Sequence, residues 1–131
     1  MKIAIIEDNE KDLIGLILAL TGAGHEVMNQ IKEDWPSLLW NNSLDLSVVT
    51  EAVGKFQPDV ILLDEKLGRE DKGSRVLLHL KSQPWWNNPK VVGISSEEQE
   101  GLDACWPYKG ALQDGNAKVN DDLDELLQSL F

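Results

Sequence analysis

Between Pro58 and Asp64 the chain reads Pro-Asp-Val-Ile-Leu-Leu-Asp, an apolar run that ends on a carboxylate. Such a run, bounded by turn-forming residues, suits a strand buried on both faces, and strands of that kind belong to parallel sheets covered by helices on each side. The start of the chain repeats the design, with Lys2-Ile3-Ala4-Ile5-Ile6 leading straight into Glu7-Asp8. In an open parallel sheet, ligands bind outside the carboxyl ends of the strands, where the strand order reverses. Glu7, Asp8 and Asp64 are therefore expected to meet at one point. Three carboxylates left together repel one another, so the cluster calls for a hard divalent cation, Mg²⁺ or Mn²⁺.

Helical patterns alternate with these runs, which is the doubly wound α/β arrangement. Asp8 or Asn9 can cap a first helix whose apolar face uses Leu13, Leu16, Ile17 and Leu20, and Thr21-Gly22-Ala23-Gly24 stops it. His25–Gln30 reads as a short edge strand. A second helix carries Leu46, Val49 and Val53 and ends near Gly54. Val76, Leu77 and Leu80 mark a third after Gly73, terminated by Pro84. Val91-Val92-Gly93-Ile94 is a fourth strand that runs into Ser95-Ser96. Glu97 to Cys105 reads as helical, and Gly115–Val119 as a fifth strand despite poor strand propensity. Asp121 or Asp122 caps a last helix with Leu123, Leu126, Leu127 and Leu130 on one stripe.

At 131 residues the chain is expected to form a single domain spanning 1–131, with one substantial core. Twenty-three acidic residues against twelve basic ones leave a net charge of −11, which opposes binding to nucleic acid or to an anionic membrane. Cys105 is the only cysteine, so no internal disulfide can form and a reducing, cytoplasmic location is expected. The apolar stretches are too short for a signal sequence or a membrane span.

Taken in order, four positions resemble the receiver domain of bacterial two-component response regulators. Ile5-Ile6-Glu7-Asp8-Asn9 is similar to the acidic pair after the first strand, and Asp59-Val60-Ile61-Leu62-Leu63-Asp64 to the strand leading to the phosphoacceptor aspartate. Ser95 is similar to the hydroxyl residue after the fourth strand, and Lys118 to the lysine after the fifth. The resemblance implies a flavodoxin-like five-stranded parallel sheet of order 2-1-3-4-5 with helices on both faces. It also implies a phosphorelay role, in which Asp64 takes a phosphoryl group from a sensor histidine kinase or a histidine phosphotransfer protein. Asp8 and Asp64 would bind the metal, together with Glu7 and the backbone carbonyl of Lys66, while Ser95 and Lys118 would contact the phosphoryl oxygens. Chemistry would then be confined to self-directed phosphoryl transfer and its hydrolysis, with signalling through a downstream protein partner or a homodimer.

The departures from the family pattern are specific. Gly68 replaces a common Pro, Val119 stands where Pro usually follows the lysine, and Gly115 lies where a switching Tyr or Phe is usual. Lys109 is a rival for Lys118. An insertion is expected around residues 31–43, where Trp35 and Trp40 lie; Trp85-Trp86 and Trp106-Pro107-Tyr108 are open to either core packing or partner binding. The alternative function is a pseudo-receiver, an interaction module without a phosphorylation cycle. Two other readings are disfavoured. A haloacid-dehalogenase-type hydrolase would want a second Asp where Lys66 stands, and Glu7-Asp8 would repel the phosphate of a flavodoxin.

Overall fold

Ile3–Ile6 and Val60–Leu63 lose essentially all contact with water, because these two runs lie side by side in the middle of one sheet. The computed structural model describes residues 1–7, 9–28, 46–67, 71–95, 101–107 and 117–131. Along the chain these form β1 (Lys2–Ile6), α1 (Glu10–Gly22), β2 (Glu26–Val27), α2 (Leu46–Phe56), β3 (Val60–Leu63), β4 (Lys66–Leu67) and β5 (Asp71–Lys72). They are followed by α3 (Gly73–Lys81), β6 (Lys90–Gly93), β7 (Ala104–Cys105) and α4 (Ala117–Ser129). The main sheet has the order β2-β1-β3-β6-β7, and each neighbouring pair is parallel. Counting only its own strands, this is the expected order 2-1-3-4-5. Helix α1 contacts α4 and α2 contacts α3, as two pairs on the two faces of the sheet. None of the described helices is long and apolar enough to cross a membrane.

Most local signals act as the sequence suggests. The Asn9 side chain accepts a hydrogen bond from the Asp12 N–H at 3.1 Å, so Asn9 is the cap of α1. Leu13, Leu16, Ile17 and Leu20 are all buried, and Gly24, at φ +90°, takes the left-handed conformation that turns the chain into β2. In α3 the buried side is Gly73, Val76, Leu77 and Leu80, and in α4 it is Leu123 and Leu127. His25 Nε2 meets the Asp124 carboxylate at 2.8 Å and ties the entry of β2 to α4.

The last third of the chain departs from the expectation. The fifth strand of the sheet is Ala104–Cys105, within the segment read as helical, and residues 117–119 of the expected strand are the first turn of α4. An edge strand has one neighbour and needs no long apolar run. This one is held by a paired contact: the Asp103 N–H donates to the Val91 carbonyl at 2.8 Å, and the Val91 N–H donates to the Asp103 carboxylate at 2.7 Å. Helix α4 begins at Ala117, so Asp121 and Asp122 lie inside it rather than capping it. An antiparallel ribbon of β4 and β5, which no sequence signal announced, stands between β3 and α3. The expected insertion around 31–43 lies outside the described residues.

Candidate functional site

The parallel ladder sets the level of each candidate residue. Ile6 pairs with Leu63, Leu63 with Gly93, and Gly93 with Cys105, so these four residues mark one line across the sheet. The ladder runs one step further: the Asp64 N–H donates to the Ile6 carbonyl at 3.0 Å, Ile94 to Leu63 at 3.0 Å, and Trp106 to Gly93 at 2.7 Å. Glu7 and Asp64 thus leave neighbouring central strands at the same height. Ser95 stands one residue beyond that line. Glu7 is fully buried, Asp64 is 4% exposed and Ser95 is half-buried. The Glu7 carboxylate accepts the Asn9 N–H at 3.0 Å at the entry to α1, which turns it toward the amino end of that helix.

Burying two carboxylates at one crevice is unfavourable without counter-charge. Asp8, the third acid of the expected cluster, lies outside the described residues, and among those described no group of three His, Cys, Asp or Glu side chains is arranged to hold a metal ion. The backbone of Lys66 can be placed. The Glu65 carbonyl accepts the Gly73 N–H at 2.8 Å, and in the same register Lys66 faces Lys72 and Leu67 faces Asp71. Hydrogen-bonded and non-hydrogen-bonded pairs alternate along an antiparallel ladder, so Lys66 falls at a non-hydrogen-bonded pair and the ribbon does not use its carbonyl.

Lys118 is not at a strand end. It is the second residue of α4, well past the fifth strand, so the alignment that made it the strand-end lysine is corrected. Lys109, its rival, follows the end of that strand at Cys105 by four residues, although it lies outside the described set. Trp106 is 3% exposed and belongs to the core. Trp85 packs its indole over Gly54 so closely that a Cβ there would stand 2.8 Å from the ring, which identifies it as packing between α2 and the turn after α3. Tyr108, Trp35 and Trp40 lie outside the described residues.

Sequence reasoning overlooked two residues here. Glu65 is 8% exposed, and its carboxylate accepts both the N–H and the hydroxyl of Ser74, each at 3.1 Å. Gly73 lies so near the preceding strand that a Cβ would stand 2.1 Å from the Asp64 carbonyl oxygen. One clue was present: Lys72, just before α3, is not a capping residue type, so that helix had to find its cap elsewhere. A cleft of about 200 Å³ between Lys81, Trp86, Asn88 and Lys90 lies at the opposite, amino end of β6 and is separate from the carboxylates.

No protein-family model and no curated protein matches the chain. Solved structures do match it. A CheY-like response regulator receiver domain from Methylobacillus flagellatus superposes with a TM-score of 0.65 at 17% identity, covering 100% of this chain and 98% of its own. The N-terminal domain of a response regulator, sensory box and GGDEF three-domain protein from Carboxydothermus hydrogenoformans gives 0.57 at 20% identity, covering 98% of both chains. The BeF3-activated N-terminal receiver domain of RstA from Klebsiella pneumoniae gives 0.52 at 22% identity, over 80% of this chain and 83% of its own. The fold is that of the response-regulator receiver domains.

Proposed function

We propose that this protein is a receiver that accepts a phosphoryl group on Asp64 from a phosphohistidine donor, a sensor histidine kinase or a histidine phosphotransfer protein. The observation that carries this reading is a buried aspartate just past the end of the central strand β3, level with a buried Glu7 just past β1, at the crevice where the strand order reverses. An Asp64 carboxylate oxygen attacks the phosphorus, the P–N bond breaks, and its electron pair leaves with the donor imidazole. Mg²⁺ or Mn²⁺ fits the donor set of Glu7, Asp8, Asp64 and the Lys66 carbonyl, all hard oxygen ligands. When bound, the cation neutralises charge on the transferred group. The Ser95 hydroxyl donates to one phosphoryl oxygen, and movement of that side chain starts the signal to a protein partner.

For the cationic partner of the phosphoryl group we favour Lys109 over Lys118, because the fifth strand ends at Cys105. The shift also accounts for one departure from the family pattern. The position three before the lysine, which is Gly115 when Lys118 is aligned, becomes Trp106, an aromatic residue buried beside the sheet. Gly110 then follows the lysine, so the usual proline is still missing. That absence favours the second reading, a pseudo-receiver that binds a partner without phosphorylation.

Intact mass after incubation with Mg²⁺ and a small phosphodonor separates the two. One added phosphate, absent in Asp64→Asn, is expected; no added mass in the parent protein would leave the pseudo-receiver. Beryllofluoride, named with the RstA receiver, supplies a second probe of the same site.

A further inference from the structure

We propose that Glu65 is a positioning residue for Asp64, a bracket through which the start of α3 sets the backbone that follows the phosphoacceptor; this rests on the receiver reading above. A carboxylate buried to this extent must be hydrogen-bonded to be tolerated, and Ser74 satisfies both of its oxygens, the N–H on Oε2 and the hydroxyl on Oε1. Helix α3 has no acidic residue in its own first turn. Glu65 therefore places a negative charge at the positive end of the helix from outside it.

The backbone closes the bracket from the other side. The Gly73 N–H holds the Glu65 carbonyl at 2.8 Å, and the Gly73 Cα lies against the Asp64 carbonyl with no room for a side chain. Both carbonyls flanking Glu65 are thus fixed on one residue of α3. Lys66, next in line, then sits at the ribbon position whose carbonyl stays unused by the ladder. A cation at Asp64 would draw on that carbonyl, and its placement depends on the bracket. The same contacts turn the Glu65 carboxylate onto Ser74 at the start of α3.

The test compares the full chain with Glu65→Gln, Glu65→Ala and Ser74→Ala, at a temperature where circular dichroism shows each to be folded. Two quantities are read: Mn²⁺ affinity, and the rate of phosphorylation at saturating phosphodonor and metal. Residues that orient a ligand from behind change metal affinity by about 10- to 100-fold. Glu65→Ala is expected to weaken Mn²⁺ binding about tenfold and to slow phosphorylation, and Ser74→Ala to do so less. Glu65→Gln keeps an acceptor for the Ser74 N–H and should stay within about threefold of the parent. A simple helix cap would lower the melting temperature and leave both quantities unchanged in the folded protein; that result overturns the proposal while the receiver reading stands. A parent protein that neither binds Mn²⁺ nor gains phosphate overturns the receiver reading, and the positioning role with it.

Discussion

Strands β3 and β7 lie in the same sheet, one strand apart, and are built on opposite principles. In β3 all four residues are fully buried, between two parallel neighbours and under helices on both faces. In β7 two residues suffice, Ala104 half-buried and Cys105 exposed, with β6 as the only neighbour among the described strands. The central strand is held by what its own side chains remove from water. The edge strand is held by its flanks: Asp103, bonded twice to Val91, on one side, and the buried Trp106 on the other. A strand of the first kind announces itself in the sequence, whereas one of the second kind depends on partners far away in the chain.

If β7 is secured by its flanks, removing Trp106 is the most damaging single change at that edge. Trp106→Ala should cost about 3–5 kcal/mol of unfolding free energy, because a large side chain is removed from the core. If urea unfolding shows less than about 1 kcal/mol, the flank is not what secures β7. Leu62→Ala, in the middle of β3, should cost about 2–5 kcal/mol, since the filled space around it cannot collapse fully. A loss as small as that of an exposed site would remove the contrast from the other side.

Next in size is Gly73→Ala. Its Cβ would meet the Asp64 carbonyl at 2.1 Å, so either α3 or the end of β3 must move, at about 1–3 kcal/mol. Phosphorylation should fall as well, because the displaced atoms belong to the phosphoacceptor's own peptide. A Gly73→Ala protein with unchanged stability and unchanged phosphorylation would show that this contact is loose. The smallest effect is expected for Cys105→Ala, within about 0.5 kcal/mol, as an exposed position away from the bracing contacts. A larger loss would mean that the strand itself, not its flanks, carries the edge.

The same distinction governs how much of the site could be read in advance. Glu7 and Asp64 were legible because each follows an apolar run that can only be a buried parallel strand, and the carboxyl ends of such strands face one crevice. Lys118 is misplaced by a sequence reading because Gly115–Val119, despite poor strand propensity, stands just before a leucine-striped helix, where a last strand would fall. That helix reaches back to Ala117, one residue ahead of the lysine. Glu65 and Gly73 were not legible at all, since a carboxylate that caps a helix eight residues further on leaves no spacing pattern of the kind that local caps do.

Apolar periodicity, strand-end acids and the Asn9 cap thus determined the α/β class, the first four strands of the sheet and the helices flanking them, because each of these signals acts between residues close in sequence. Tertiary structure alone decided three things: where the edge strand lies, that Trp106 is core, and that α3 is tied to the phosphoacceptor strand through Glu65 and Gly73. Each of these depends on contacts whose partners become neighbours only after the sheet has assembled, so neither propensity nor pattern in a short window could carry them.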